Sequence, residues 1–331
     1  MKHVIAGDLG GTKTRLALLR VKGEQAETLA EATYASASEP CFERILDSFV
    51  AGLDRPADAA GFGIAGPVHG GRCQATNLPW RVDSTTLSTR LGLPVALIND
   101  LVATAWGIPA LAPEARLPLQ AGTADPAGNL AVVAAGTGLG EAGLCRGGNA
   151  WLPIPSEGGH SSFSPVTDLD IALLQHLRRT FGHVSWERVL SGQGLVNIHG
   201  FLRIHREQAP PPTLQQAMAN GDPAAAIARA AIEGHDPVCR EALDIFCRLY
   251  GAEAGNYALK VMATGGVFIG GGIAPKIVTH LRDSEFLAAF RDKGRMAGLL
   301  ERIPVTLIMD DRAALLGAGL YAAGLSPSAR H

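Results

Sequence analysis

The chain has 331 residues, 47% of them hydrophobic and 18% charged, with a formal net charge of −2. That length suits two domains at about 150 residues each, with apolar content ample for packed cores. The lack of any basic block speaks against a nucleic-acid surface, and five scattered cysteines without C-x-x-C spacing speak against zinc and fit reduced thiols in a cytoplasm.

In chain order, the first informative segment is Ile5-Ala6-Gly7-Asp8-Leu9-Gly10-Gly11-Thr12-Lys13-Thr14. An apolar run enters a glycine-rich turn, and Arg15 to Val21 leaves it as a second, leucine-rich strand. Glycines at such a turn let backbone N–H groups converge on an anion. A carboxylate among phosphates, as Asp8 would be, makes sense when a cation stands between them, which marks it for Mg²⁺. The segment falls one residue short of G-x-x-x-x-G-K-[ST], and a hairpin offers no helix N-terminus, so a P-loop is set aside. An ordinary glycine hairpin is the competing reading. Val4–Ala6 is too short for the core of a secretory leader.

Phe42 to Leu53 has helical character, and Ala59–Ala65 reads as a short apolar strand. Leu93 to Ile98 reads as a buried strand ending in Asn99 and Asp100, with an alanine-rich helix from Leu101 to Gly107. Leu111 to Gly128, with three prolines and two glycines, reads as a connector and sets a boundary near residue 110. Asn129 to Ala135 is another buried strand, entering Gly136-Thr137-Gly138-Leu139-Gly140. Residues 4–19 and 131–145 thus share a strand, a Gly/Thr turn and a strand, by chance or because two related lobes clamp one nucleotide. Pro210-Pro211-Pro212 marks a rigid loop between helical segments. The run from Val261 to Ile273 is too short and too interrupted to span a bilayer. Within it, glycines from Gly265 to Gly272 bracket a three-residue apolar strand. The last helix, Asp311 to Ala323, is lined with Ala and Gly for close packing on a sheet.

Several of these places could carry chemistry. Gly136-Thr137-Gly138 is a second candidate phosphate turn. The overlapping Gly138-x-Gly140-x-x-Gly143 matches a dinucleotide fingerprint only formally, since no helix-like segment opens there, and NAD is discounted. Gly270 and Gly271 would let a base or ribose approach the backbone, or would serve tight sheet packing. Asp100 at a strand's carboxyl end can accept a hydroxyl proton, or can cap the following helix. Glu157 and His160 place an acceptor and a two-sided donor/acceptor on one tight loop, which matches the hydroxyls of a sugar. Glu187 fits the same role, or is a solvated acid at a helix start. No cysteine or H-x-x-x-H spacing accompanies His160, so a metal at that loop is not expected.

Six segments in this order resemble the bacterial ATP-dependent glucokinase family. They are Gly7-Asp8-Leu9-Gly10-Gly11-Thr12, Leu97-Ile98-Asn99-Asp100 and Ala135-Gly136-Thr137-Gly138-Leu139-Gly140, followed by Glu157-Gly158-Gly159-His160, Glu187-Arg188-Val189-Leu190-Ser191-Gly192 and Gly265 to Ile273. The resemblance implies an α/β, two-lobed actin-like/ribonuclease-H-like ATPase fold, with a nucleotide and sugar cleft between the lobes. Residues 1–110 plus 301–331 would form a small α/β domain and 111–300 a large α+β domain. It implies Mg-ATP-dependent phosphorylation of D-glucose at the 6-hydroxyl in a cytoplasmic homodimer, with no nucleic-acid or membrane partner. Asp100 would be the general base. Asn99, Asp100, Thr137, Gly138, Glu157, His160 and Glu187 would hold the sugar. Gly7, Asp8, Leu9, Gly10, Gly11, Thr12, Gly136, Thr137, Gly270 and Gly271 would hold the nucleotide, Asp8 contacting Mg²⁺ through water. The zinc-bearing cysteine motif of the related repressor–kinase sugar family is absent, so no structural metal is expected. Lys13 and Gly66 depart from the family pattern. A kinase for another hexose or hexosamine, an ADP or polyphosphate donor, and a non-catalytic sugar sensor on the same fold are the alternatives.

Overall fold

The computed structural model describes residues 1–325 except Asn77 and Asn149. The first sheet uses β1 (Lys2–Leu9), β2 (Lys13–Lys22), β3 (Gln25–Ala35) and β4 (Ala59–Ile64). A short antiparallel pair, β5 (Arg72–Gln74) with β6 (Arg81–Asp83), stands apart, and β7 (Val95–Asn99) completes the sheet in the order β3-β2-β1-β4-β7. The first three strands run antiparallel as a meander, whereas β1, β4 and β7 are mutually parallel. Every residue of β4 is buried, as befits a strand covered on both faces. Ala60, Phe62 and Ile64 join Phe42 and Trp80 in one core. The alternate face belongs to small residues: Ala103, Ala314 and Ala318 cluster where the helices Asp100–Gly107 and Ala313–Ala323 lie.

A second sheet takes β8 (Arg116–Gln120), β9 (Leu130–Ala135), β10 (Leu139–Gly147), β11 (Ala150–Ser156), β12 (Gly266–Gly270) and β13 (Val305–Ile308). Its order is β11-β10-β9-β12-β13-β8, with β9, β12 and β13 parallel. Leaving β8 aside, the third, second, first, fourth and fifth strands of each set lie side by side in the same sequence. The strand–turn–strand likeness of 4–19 and 131–145 is therefore a likeness of topology. Two local expectations change. The stretch from 111 to 128 is no bare connector, because β8 lies within it; Pro118 is tolerated because the strand is at the sheet's edge. The strand among the late glycines has five residues, Gly266–Gly270, since its glycines pair within the ladder.

The helix Pro237–Val261 is buried along most of its length and centres a large core with β9, β12 and β13. Prolines open three helices, at Pro212, Pro223 and Pro237, where the missing N–H breaks no intrahelical bond. Packing divides the chain into two compact units. One holds Met1–Arg116, Ala142–Pro155 and the chain from Asp310 on; the other holds Leu117–Glu141 and Ser156–Met309. Among the described residues, no helix is long and apolar enough to cross a membrane.

Candidate active site

In the first unit the turn between β1 and β2 is pinned from beneath. Gly10 donates its N–H to the Lys13 carbonyl at 3.0 Å, and the Ser36 N–H donates to the Thr12 carbonyl at 3.0 Å. The buried Ser36 hydroxyl donates to the Gly10 carbonyl at 2.7 Å and meets the Thr14 hydroxyl at 3.0 Å. Thr12 is exposed and Gly11 partly so. Gly7 and Leu9 lie within the ladder instead, paired on one side with β2 and on the other with β4. Gly7 is glycine because a Cβ there would stand 2.6 Å from Phe62 Cδ1 and 2.9 Å from Leu16 Cδ2.

Asp8 pairs across the hairpin with Arg15. Burial pushes its carboxyl up to about 6, with Arg15 opposing and Asp311 adding to the rise. Arg15 offsets that rise only in part; its guanidinium forks onto Asp311, at 2.9 Å through each nitrogen, and reaches Glu31 at 3.6 Å. A desolvated carboxylate whose neighbouring cation is committed elsewhere fits Mg²⁺, which takes one or two carboxylates and completes its shell with water and phosphate. Among the described residues no group of three or more His, Cys, Asp or Glu could hold a metal ion.

Asn99 and Asp100 stand where β7 becomes a helix. Asn99 is the N-cap: its Oδ1 accepts from the Leu101 N–H at 2.9 Å and the Val102 N–H at 3.3 Å. Its Nδ2 donates to the Gly66 carbonyl at 3.2 Å. Gly66 has φ of +137°, a backbone only glycine adopts readily, which explains that departure locally. Capping by Asn99 leaves Asp100 in the first turn of that helix. Its Oδ1 also accepts from the Leu101 N–H at 2.9 Å. Cys73 is close enough that burial, and then the Asp100 charge, push its thiol up.

The second unit gathers the remaining expected residues around Leu139. The Gly136-Thr137-Gly138 turn leaves β9, with the Gly136 N–H donating to the Gly138 carbonyl at 2.8 Å. Glu187 Oε2 accepts from the Leu139 N–H at 3.0 Å and lies against Gly138, where any Cβ would strike it. The Gly192 N–H donates to the Gly136 carbonyl at 2.9 Å, and the Ser191 hydroxyl to the Glu187 carbonyl at 2.8 Å. Glu157 precedes a short 3-10 turn, Gly158–His160, in which Gly159 rests on the Leu139 backbone. That turn is tied to the Glu187 turn through the Trp186 N–H, which donates to the Ser161 carbonyl at 3.0 Å. Glu157, His160 and Thr137 are exposed, and Glu187 and Gly138 partly so.

The late glycines join this group. Gly271 has φ of +81° and packs against the Ala135 backbone, and a Cβ on Gly136 would lie 3.8 Å from the Gly272 nitrogen. Both turns sit at the carboxyl ends of parallel strands, β9 and β12. The buried Tyr250 hydroxyl fixes them, donating toward the Val133 and Gly270 carbonyls at 3.0 Å each and accepting from the Ala135 N–H at 3.0 Å. Sequence reasoning missed Tyr250, Arg15 and Asp311. No local signal in the sequence marks Tyr250, one of two tyrosines in its helix, and the Arg15–Asp311 pair has none, its members lying at opposite ends of the chain.

A family model described as Glucokinase matches residues 5–325. The glucokinase of Nostoc sp. (strain PCC 7120) is 40% identical over 98% of this chain and its own full length. That of Saccharophagus degradans is 36% identical over 97% of this chain and 98% of its own. The crystal structure of a glucokinase from an Antarctic psychrotroph superposes with a TM-score of 0.88 at 32% identity, covering 98% of this chain and all of that one. A ROK family glucokinase from Streptomyces griseus, solved with glucose and AMPPNP, shares the fold at 23% identity and a TM-score of 0.64, over 97% of this chain and 99% of that one. The fold is the mixed α/β fold of the actin-like ATPases, and the chain belongs to the glucokinase family.

Proposed function

We propose that this chain transfers the γ-phosphoryl group of ATP to the 6-hydroxyl of D-glucose, giving glucose 6-phosphate and ADP. The observation that carries the reading is Asp100 at the end of β7, held in a helix's first turn by Asn99, which is itself tethered to Gly66. Asp100 takes the proton of the 6-hydroxyl as that oxygen attacks. Asn99, Glu157, His160 and Glu187 hold the other hydroxyls, with Thr137 and Gly138 assisting. Gly10, Gly11 and Thr12, with Gly136 and Thr137, bind the phosphates, Gly7 and Leu9 supporting the first turn from inside the sheet. Gly270 and Gly271 lie against the adenosine. Asp8 is the residue for hydrated Mg²⁺, which when bound neutralises phosphate charge. Such a reaction asks chiefly for positioning and charge stabilisation. The cytoplasmic homodimer belongs to the same reading.

A coupled assay over a panel of hexoses and phosphoryl donors tests this. Glucose with ATP is expected to give the highest kcat/KM; mannose, glucosamine, ADP or polyphosphate doing better would overturn the corresponding part. Asp100→Asn is expected to lose about 10²–10⁴-fold in turnover while glucose affinity is largely kept. Parental turnover by that variant would refute the assigned base.

A further inference from the structure

Beneath the Glu157–His160 loop lies a pair of acids that no step above employs. Glu141 is 2% exposed and Glu253 not at all. Glu141 sits on β10 two residues after Leu139, so both side chains address the same face of that strand. Its Oε2 lies directly under Gly158: a Cβ there would collide with it and stand 2.8 Å from the Glu141 Cδ. The same spot is 3.0 Å from Ser156 Oγ, which accepts the Gly158 N–H at 2.9 Å. The loop thus rests on the Glu141 carboxyl and the Ser156 hydroxyl.

Neither Glu141 oxygen meets an N–H or O–H donor among the described residues; the group it pairs with is the Glu253 carboxyl. Two ionised carboxylates are acceptors only, so such a contact closes when one proton lies between them. Other charged and titratable groups face the pair. From the helix Pro237–Val261, Lys260 reaches Glu253 at 3.3 Å, and Asn256 donates to Glu253 at 2.8 Å. Lys293 also faces Glu253, its charged form disfavoured by burial, and Tyr257 stands by Glu141 with its hydroxyl pushed up to about 12 by burial. Lys260 is half exposed, and its charge also opposes the rise at Glu141.

We propose that Glu141 is a positioning residue for the hexose-binding loop, seated under Gly158 as a carboxylic acid that shares a single proton with Glu253. Ionising both acids sets two like charges side by side and drives the Glu141 carboxylate toward water, through the loop that carries Glu157 and His160. Hexose affinity then falls in alkali. Burial foremost, then the Glu253 charge, raise the Glu141 carboxyl to about 8, which sets the range. The inference rests on the sugar-binding assignment of that loop.

The test is glucose binding by calorimetry over about pH 6 to 10, beside an infrared measurement of the protonated carboxyl band in the unliganded protein. The wild-type Kd is expected to stay level at neutral pH and to rise about tenfold one pH unit above the pair's titration, as the competent form drops to about a tenth. Glu141→Gln keeps the shape and supplies an amide donor to Glu253, so its Kd stays level into alkali and the infrared band is lost. Glu253→Gln, the mirror change, carries the same expectation should the first variant not fold. A level wild-type profile, or a Glu141→Gln profile that still rises, overturns the proposal. So does the absence of an alkaline-titrating carboxyl band in the wild type, which decides the shared proton without any sugar. Failure to bind glucose at neutral pH, with that band present, would instead sink the hexose assignment.

Discussion

Gly317→Ala tests whether the placement of Asp100 is set by a helix crossing remote from any substrate. In the helix Ala313–Ala323, a Cβ on Gly317 would overlap the Ala103 carbonyl oxygen and stand 2.5 Å from the Gly107 nitrogen. Both are backbone atoms of the helix that begins at Asp100, so no side-chain rotation relieves the clash. Ordinary contact needs about 3.5 Å, so the two helices must part by about 1 Å or more. Overpacking of this kind costs about 1–3 kcal/mol. The Trp106–Tyr321 ring contact, with centroids 5.3 Å apart, braces the same crossing and opposes the shift. A displacement of about 1 Å at a catalytic group can cost ~10² in rate, so kcat should drop by up to that factor while glucose KM changes little. Urea unfolding at constant slope gives the stability and the coupled assay gives the rates. Gly200→Ala is the control: it lies in a helix interior with open space around its Cβ position, so a gain of about 0.5–1 kcal/mol at unchanged kcat is expected. If Gly317→Ala kept the parental unfolding midpoint and turnover, the crossing would not be what positions Asp100.

Two further outcomes follow from the second unit. Asp170 is 1% exposed; burial would raise its pKa, but Arg248 and the Thr167 and Val166 N–H groups hold it below 3.8. Arg248→Met should therefore cost about 3 kcal/mol at neutral pH by stranding a buried carboxylate. Because the native pKa is lowered, the pair stabilises the fold above about pH 4 and stops doing so as pH falls through that lowered value, so the deficit must shrink in acid. An equal deficit at neutral and acid pH in urea titrations would contradict this. Gly138→Ala should push the Glu187 carboxylate off the Leu139 N–H and raise glucose KM about tenfold or more, the worth of a charged hydrogen bond. An unchanged KM for glucose would remove Glu187 from the sugar site.

The parts legible in the sequence are those written in local pattern. The Gly10–Thr12 turn is visible because apolar runs flank its glycines. The end of β7 is visible because an apolar run stops at Asn99-Asp100 and an alanine-rich helix follows. A proline-bearing edge strand such as β8 lacks that clarity, since Pro118 reads as a breaker until a sheet supplies an edge for it. Gly7 and Leu9 look like part of the turn in one dimension, yet the parallel neighbour β4 takes them into the ladder.

By itself, the sequence determined the apolar strands β1, β2, β4, β7 and β9, the glycine turns and the ordered set of motifs that marks the family, because propensity and turn chemistry act over a few residues. The tertiary structure alone decided which charges stand together. Arg15 forks onto Asp311 beside the buried Asp8, and Glu141 meets Glu253 under Gly158. Desolvation and close backbone approach depend on what a distant segment brings alongside, and no local pattern encodes that.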